Sequence, residues 1–403
     1  MKSSANLSCD NLDNMNQRNY RNVLSISLSM FGIALSFNFV MVFLPFLIHD
    51  ISHFSSQATL IWVGFIMGAP SFAAALASTF WGSLASRLSP KVLFMRGLLT
   101  HAIVILLMGF VSSLPVLLVL RIIQGILGGI STLGLIIVSS SSSREWISRD
   151  IGLFQNAMTF GQLIGPPIGA LAATALGYRG AFVSASAFVF VTLAFCFFYV
   201  NEFARESGEK AVSKKHGMNK KTLIGWGLCF TATVQLMFLP SVLPNVFRGF
   251  HMEESMALRS AGLLVMSYTA TAMAGTFLLC RLASRVTIHR LIITVAIVGT
   301  TLQFLLTVSS GVTSFVAVRM LQTAMIAAVV PLVFSSFTSG LDGRVMGFLN
   351  SSRFAGNALG PMIGTSILAF SSLNWLYVSI GIVGLLALVG YASSLPGARN
   401  KAS

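Results

Sequence analysis

The chain is 403 residues long, 55% hydrophobic and only 9% charged, with a formal net charge of +15. A soluble domain is about a quarter charged, so these residues cannot cover the water-facing surface of a protein this size. A soluble enzyme, a disordered chain and a nucleic-acid binder are excluded together, leaving a chain whose solvent is the lipid bilayer. The basic excess is then a bias of Lys and Arg toward cytoplasmic loops. Four scattered cysteines (Cys9, Cys196, Cys229, Cys280) lack CxxC spacing and histidine partners, so no disulfide framework, metal site or cofactor is expected.

Residues 1–22 are polar and carry no cleavable signal pattern, so the first apolar run is expected to remain as a span. Twelve apolar runs follow, at roughly 23–47, 58–80, 92–111, 116–139, 151–176, 180–199, 222–244, 258–280, 291–309, 313–334, 345–370 and 374–394. Each is continuously apolar for about 20 residues, which predicts helices and not barrel strands of about 10. The polar linker 200–221 divides them into six-helix lobes, 23–199 and 222–394, between cytoplasmic tails 1–22 and 395–403. Of the 26 Lys and Arg residues, only Arg179, Arg248 and Arg259 fall on the side opposite the termini, and only Arg121, Arg319 and Arg353 inside spans. That asymmetry predicts a multi-pass protein of the inner or plasma membrane with both termini cytoplasmic.

The two halves repeat in register. Leu84-Ala85-Ser86-Arg87 matches Leu282-Ala283-Ser284-Arg285, and Arg121-Ile122-Ile123-Gln124 matches Arg319-Met320-Leu321-Gln322, both 198 positions on. Gly165-Pro166-x-Ile168-Gly169 matches Gly360-Pro361-x-Ile363-Gly364, 195 positions on. Six is even, so equivalent spans keep their direction, and the repeat is parallel about the membrane normal. The fold class is all-α integral membrane, twelve transmembrane helices in two parallel-repeat lobes, an architecture of secondary transporters with a site between the halves.

These residues resemble the major facilitator superfamily, in particular its twelve-span drug:proton antiporter branch. Gly82 to Lys91 (GSLASRLSPK, with Arg87) is similar to the family's loop 2–3 signature, although Ser86 and Ser284 stand where the family has a carboxylate. Leu118 to Gly129 is similar to its span 4 signature around an Arg, and Gly161 to Ala170 (GQLIGPPIGA) to its span 5 antiporter signature. The resemblance implies export of small molecules by proton antiport, a monomer in the bilayer, and a gating part for Gly82, Ser86, Arg87, Lys91, Gly161, Gly165, Pro166 and Gly169. It also gives the span 4 Arg a part in proton movement.

From the residues themselves, the glycines of span 5 suit either close helix packing or a pliable hinge between spans 5 and 8. Arg121 lies about 7 Å inside span 4, with Arg319 its mirror. A charge in hydrocarbon costs at least about 2.5 kcal/mol, so both are expected to face a polar partner or a cavity. Arg353 sits deeper and in one lobe only, its counterpart being Met158. All 11 carboxylates lie in loops, tails or helix ends, so coupling rests on Arg121, Gln124, Arg319, Arg353 and Asp50, the last near the outer end of span 1. His101 titrates in a useful range, but in a peripheral span a packed histidine is the plainer reading. The candidate pocket is Asn38, Phe39, Asn156, Gln162, Gln235, Tyr268, Gln322, Asn350 and Asn357. With no carboxylate beside Arg353, an anionic metabolite or siderophore is the alternative substrate. A non-transporting receptor or scaffold is the alternative of another class.

Overall fold

The structure is a computed structural model that describes residues 2–84, 87–142, 145–200, 220–337 and 343–394. The first lobe comprises α1 (Lys2–Ile51), α2 (Ser56–Leu84), α3 (Pro90–Met108), α4 (Leu114–Leu127), α5 (Ile130–Ser141) and α6 (Ile147–Tyr199). The second comprises α7 (Lys220–Met237), α8 (Leu239–Gly249), α9 (Glu254–Leu282), α10 (Ile288–Leu305), α11 (Val312–Ile326), α12 (Val329–Ser336), α13 (Gly343–Phe370) and α14 (Leu373–Ser393). Nine stretches are long and apolar enough to cross a membrane, and the pair α7–α8, bent by 42°, makes a tenth. At 53 residues α6 is about twice a span, and Gly177 within it, at φ 70 and ψ 171, interrupts the helix, so α6 supplies spans 5 and 6. The eleventh expected span, α13, is less apolar because Asn350, Ser351, Ser352, Arg353 and Asn357 interrupt it. Twelve spans therefore stand among the described residues.

Three expected spans are not continuous helices. Span 4 breaks between α4 and α5, where Gly129 takes a left-handed φ of 69. A Cβ there would press within 2.8 Å of the Trp81 ring. A break inside a membrane frees carbonyls that lipid cannot satisfy. Trp81 Nε1 donates to Ile126 O at 2.6 Å and Arg96 Nη2 to Leu127 O at 2.8 Å, with the Arg96 guanidinium 3.5 Å over the Trp81 ring. Span 10 breaks in the equivalent place, at Ala327 and Ala328 between α11 and α12, and span 7 bends just before Pro240.

The lobes meet through equivalent contacts. Helix α2 lies along α13 and α6 along α9. Gly64 and Gly262 are 198 positions apart, and each faces the Gly-Pro segment of the other lobe. A Cβ on Gly64 would stand 3.0 Å from Met362 Cα, and one on Gly262 2.9 Å from Pro166 O and 3.0 Å from Pro167 Cα. Both glycines lie eight residues into their helices, in the half of the molecule far from the termini. There one apolar cluster runs unbroken from Phe43, Phe46 and Leu47 to Val242, Leu243, Val246 and Ala257. Tyr178 also donates to Glu254 Oε1 at 3.1 Å across the lobes. The far end is shut. The half of the second lobe near the termini holds a separate cluster around Leu228, Ile292, Val329 and Tyr391.

Candidate functional site

Prolines place the two central arginines. Pro70 in α2 has no N–H, so the carbonyl four residues earlier, Ile66 O, loses its helical partner. Arg121 Nε of α4 supplies one at 3.0 Å. Pro240 likewise strands Leu236 O at the end of α7, and Arg319 Nη2 of α11 donates to it at 3.0 Å. Arg319 Nη1 adds Gln235 O at 2.9 Å, so this guanidinium caps a helix C-terminus, where positive charge is favoured. Both arginines are 0% exposed. Each also donates through Nη1 to a glutamine one turn on, Gln124 Oε1 and Gln322 Oε1, both at 2.7 Å. Aromatic rings take the remaining faces: Phe37 lies 5.4 Å from Arg121, and Phe238 and Tyr268 lie 5.3 and 5.1 Å from Arg319. Arg121 further reaches Met41 Sδ at 3.0 Å.

The glutamines extend each network to a third helix. Gln124 Nε2 meets His101 Nδ1 of α3 at 3.1 Å, and His101 Nε2 meets Ser36 Oγ of α1 at 3.2 Å. In the second lobe Gln322 Nε2 donates to Gln235 Oε1 at 3.2 Å and to Gln303 Oε1 of α10 at 3.3 Å. Each lobe thus encloses a buried chain of Arg, Gln and a third polar side chain. Among the described residues neither chain contains a carboxylate. Packing, the plainer expectation for His101, does not account for these two bonds, and Gln303 and Ser36 carry no sequence signal that singles them out. The one local signal concerns the arginines: Pro70 and Pro240 each leave a carbonyl open four residues back.

Other candidates stand elsewhere. Phe39 is buried against Gly165 and Gly169, and Asn38 bonds its own helix at Ala34 O, 2.8 Å. Gln235, Tyr268 and Gln322 are buried in the second network. Asn350, Arg353 and Asn357 share one face of α13 by helical spacing. Arg353 is exposed and makes no hydrogen bond or ion pair among the described residues. Asn156 is exposed and Gln162 half-buried on α6. Asp50 lines a cleft of about 320 Å³ at the far end with His49, Arg248 and Glu254. In the loop motif Gly82 lies in α2, Arg87 is exposed, and Lys91 Nζ holds Phe197 O at 3.3 Å at the end of α6. Ser86 lies outside the described residues.

The glycines of GQLIGPPIGA do not face the second lobe. Gly161, Gly165 and Gly169 press on α1, with a Cβ on Gly165 2.6 Å from Leu35 O, whereas Pro166, Pro167 and Ala170 meet Gly262. The glycines are packing within the lobe, and the prolines form the contact between lobes. Gly165→Leu is therefore expected to lower the amount of folded, membrane-inserted protein, read as the monodisperse yield after detergent extraction. Normal yield with lost transport would return Gly165 to a hinge.

The family model of the Major Facilitator Superfamily matches residues 26–244 and again residues 224–402, two overlapping matches that together span nearly the whole chain. The chain belongs to the Major Facilitator Superfamily. Multidrug resistance protein MdtG of Salmonella arizonae is 25% identical over 391 residues, 93% of this chain and 95% of that one. The human organic anion transporter MFSD10 superposes with a TM-score of 0.65 at 17% identity, covering 93% of this chain and 99% of that one. A D-xylose–proton symporter reaches 0.72 at 14% identity, covering 94% and 98%. At such identities the superpositions speak for the fold. This superfamily member is a multi-pass membrane transporter of small molecules and not an enzyme, and the scaffold or receptor alternative falls away.

Proposed function

We propose that this transporter exports small molecules across the cytoplasmic membrane in exchange for protons, with both termini in the cytoplasm and with residues 23–199 and 222–394 as its lobes. The observation that carries the reading is the pair of equivalent glycine–proline contacts, Gly64 with Met362 and Gly262 with Pro166 and Pro167. Two rigid lobes joined by such small, apolar contacts at one end suit a rocking exchange of access. With the far end shut and Asn156 and Arg353 exposed, the state described suits loading from the side of the termini. The span 5 segment GQLIGPPIGA and the likeness to MdtG, named for multidrug resistance, support outward movement of drugs or metabolites.

A second reading concerns charge. Arg353 has no acidic partner among the described residues and stands on one face with Asn350 and Asn357. An anionic substrate pairs bidentately with such a guanidinium, whereas a cation beside it is repelled. Both readings meet in one experiment: accumulation of ethidium, chloramphenicol and carboxyfluorescein in an efflux-deficient bacterium expressing the chain. Accumulation of at least one should fall severalfold and recover with a protonophore. Carboxyfluorescein efflux lost in Arg353→Ala supports the anionic reading, and carboxyfluorescein efflux unchanged by that substitution refutes it. No effect on any of the three refutes export.

A further inference from the structure

We infer that His101 is the proton-binding group of this transporter, a switch set on the Arg121–Gln124 pair. The inference rests on the proton-coupled reading above and names the residue that performs it.

The hydrogen bonds themselves determine the protonation state. Arg is donor-only, so Gln124 must offer Oε1 to Arg121 Nη1, at 2.7 Å. Its Nε2 is then a donor, and His101 Nδ1, 3.1 Å away, must accept. The ring proton therefore sits on Nε2 and is donated to Ser36 Oγ at 3.2 Å, and Ser36 passes its own to Ile33 O at 2.9 Å. Every donor has one acceptor, and the imidazole is neutral. The charged group that faces His101 is Arg121 on α4. Helix α1 presents Ser36 and Phe37, and α6 presents Ser186, bonded to Ala102 O. Helix α5 carries no titratable side chain, those of α1 lie no later than Arg21 or at His49 and Asp50, and those of α6 sit at its ends or at the Gly177 turn.

A proton taken from water by the Nδ1 lone pair converts the ring to an imidazolium with N–H at both nitrogens. Nδ1–H then opposes the Nε2–H of Gln124. Rotating the amide to repair this turns its Nε2 toward Arg121, donor against donor. Arg121 loses its acceptor and gains a positive neighbour, so its hold on Ile66 O weakens. Ile66 belongs to α2, the helix whose Gly64 and Gly68 close on α13. One proton on α3 thus acts on the contact between lobes. The second lobe has the same chain with Gln303 in the histidine's place, which accepts from Gln322 but takes no proton. Only one lobe carries the switch.

Gln303 also shows that glutamine fits this setting, which makes His101→Gln the test. Energised everted membrane vesicles are loaded with a fluorescent pH indicator, and ethidium, chloramphenicol and carboxyfluorescein are added in turn. Proton release is read on addition, and exchange of the same compound without net proton movement is read in parallel. The wild type should release protons with at least one probe, and H101Q should release none while exchanging at the wild-type rate. Proton release by H101Q at the wild-type amplitude overturns the inference and leaves antiport standing. Loss of exchange in folded H101Q overturns it too, because His101 is then needed for the cycle itself. A wild type that moves a probe without proton release overturns the coupling reading and this inference with it. Should H101Q fail to insert, His101→Asn is read by the same outcomes.

Discussion

Leucine at position 262 is expected to abolish transport while leaving both lobes folded. A Cβ on Gly262 already stands 2.7 Å from Ala170 Cβ, 2.9 Å from Pro166 O and 3.0 Å from Pro167 Cα. Two of these are backbone atoms on a proline pair, and neither moves without shifting α6. Interiors pack to near crystal density, so a leucine side chain has no room unless the lobes part. The clash lies between lobes and not within one, so the far end stays open while each lobe keeps its own core. Thiol labelling of Ala257→Cys, at a residue 4% exposed in the closed state, measures the opening. Reactivity should rise strongly in the G262L background and transport should vanish. Unchanged labelling with intact transport would show that the far end closes without this contact. Gly64→Leu is expected to act the same way through α13, because its neighbours include Met362 Cα and Pro361 O.

Arg319→Met is expected to be the most destabilising single change in the second lobe. Methionine keeps the apolar volume of the stem but donates nothing. Gln235 O, Leu236 O and Gln322 Oε1 then lose the donors that reach them at 2.9, 3.0 and 2.7 Å. Leu236 O has no fallback, since Pro240 cannot donate to it. A stranded buried acceptor costs about 1–3 kcal/mol. Relief from burying a charge offsets part of three such losses, and the net cost is placed at about 3 kcal/mol. The midpoint of thermal unfolding in detergent, followed by tryptophan fluorescence, should fall clearly, and Arg319→Lys should recover only part because one ammonium cannot span two carbonyls and an amide. A midpoint equal to wild type in R319M would mean that water replaces the guanidinium and that this site is wet.

Much of this molecule is legible in one dimension. Hydrophobic run length alone counts the spans, because a helix is the local answer to a bilayer. The offsets that align Arg121 with Arg319 and Gly165 with Gly360 define a parallel duplication before any coordinates exist. That Ile66 O and Leu236 O need an outside donor also follows from local rules, since a proline strands the carbonyl four residues before it. The sequence also shows that no carboxylate enters the middle of a span, which is what throws the coupling question onto other side chains.

What the sequence alone left open is direction around the helix axis. Gly161, Gly165 and Gly169 are equally spaced whether they face α1 or α9, and only the packed lobe shows α1 against them and Pro166 against Gly262. The breaks in spans 4, 7 and 10 are likewise decided by neighbours. Gly129 is free to turn left-handed because Trp81 and Arg96, remote in sequence, take up the carbonyls it exposes. His101 is the clearest case. Its span is as apolar as a lipid-facing helix, and nothing local says that the ring meets Gln124 and Ser36 on two other helices. A periodic pattern records burial, which is summed over all neighbours. A proton switch depends on which particular donor meets which acceptor, and that is settled only when the helices are placed against one another.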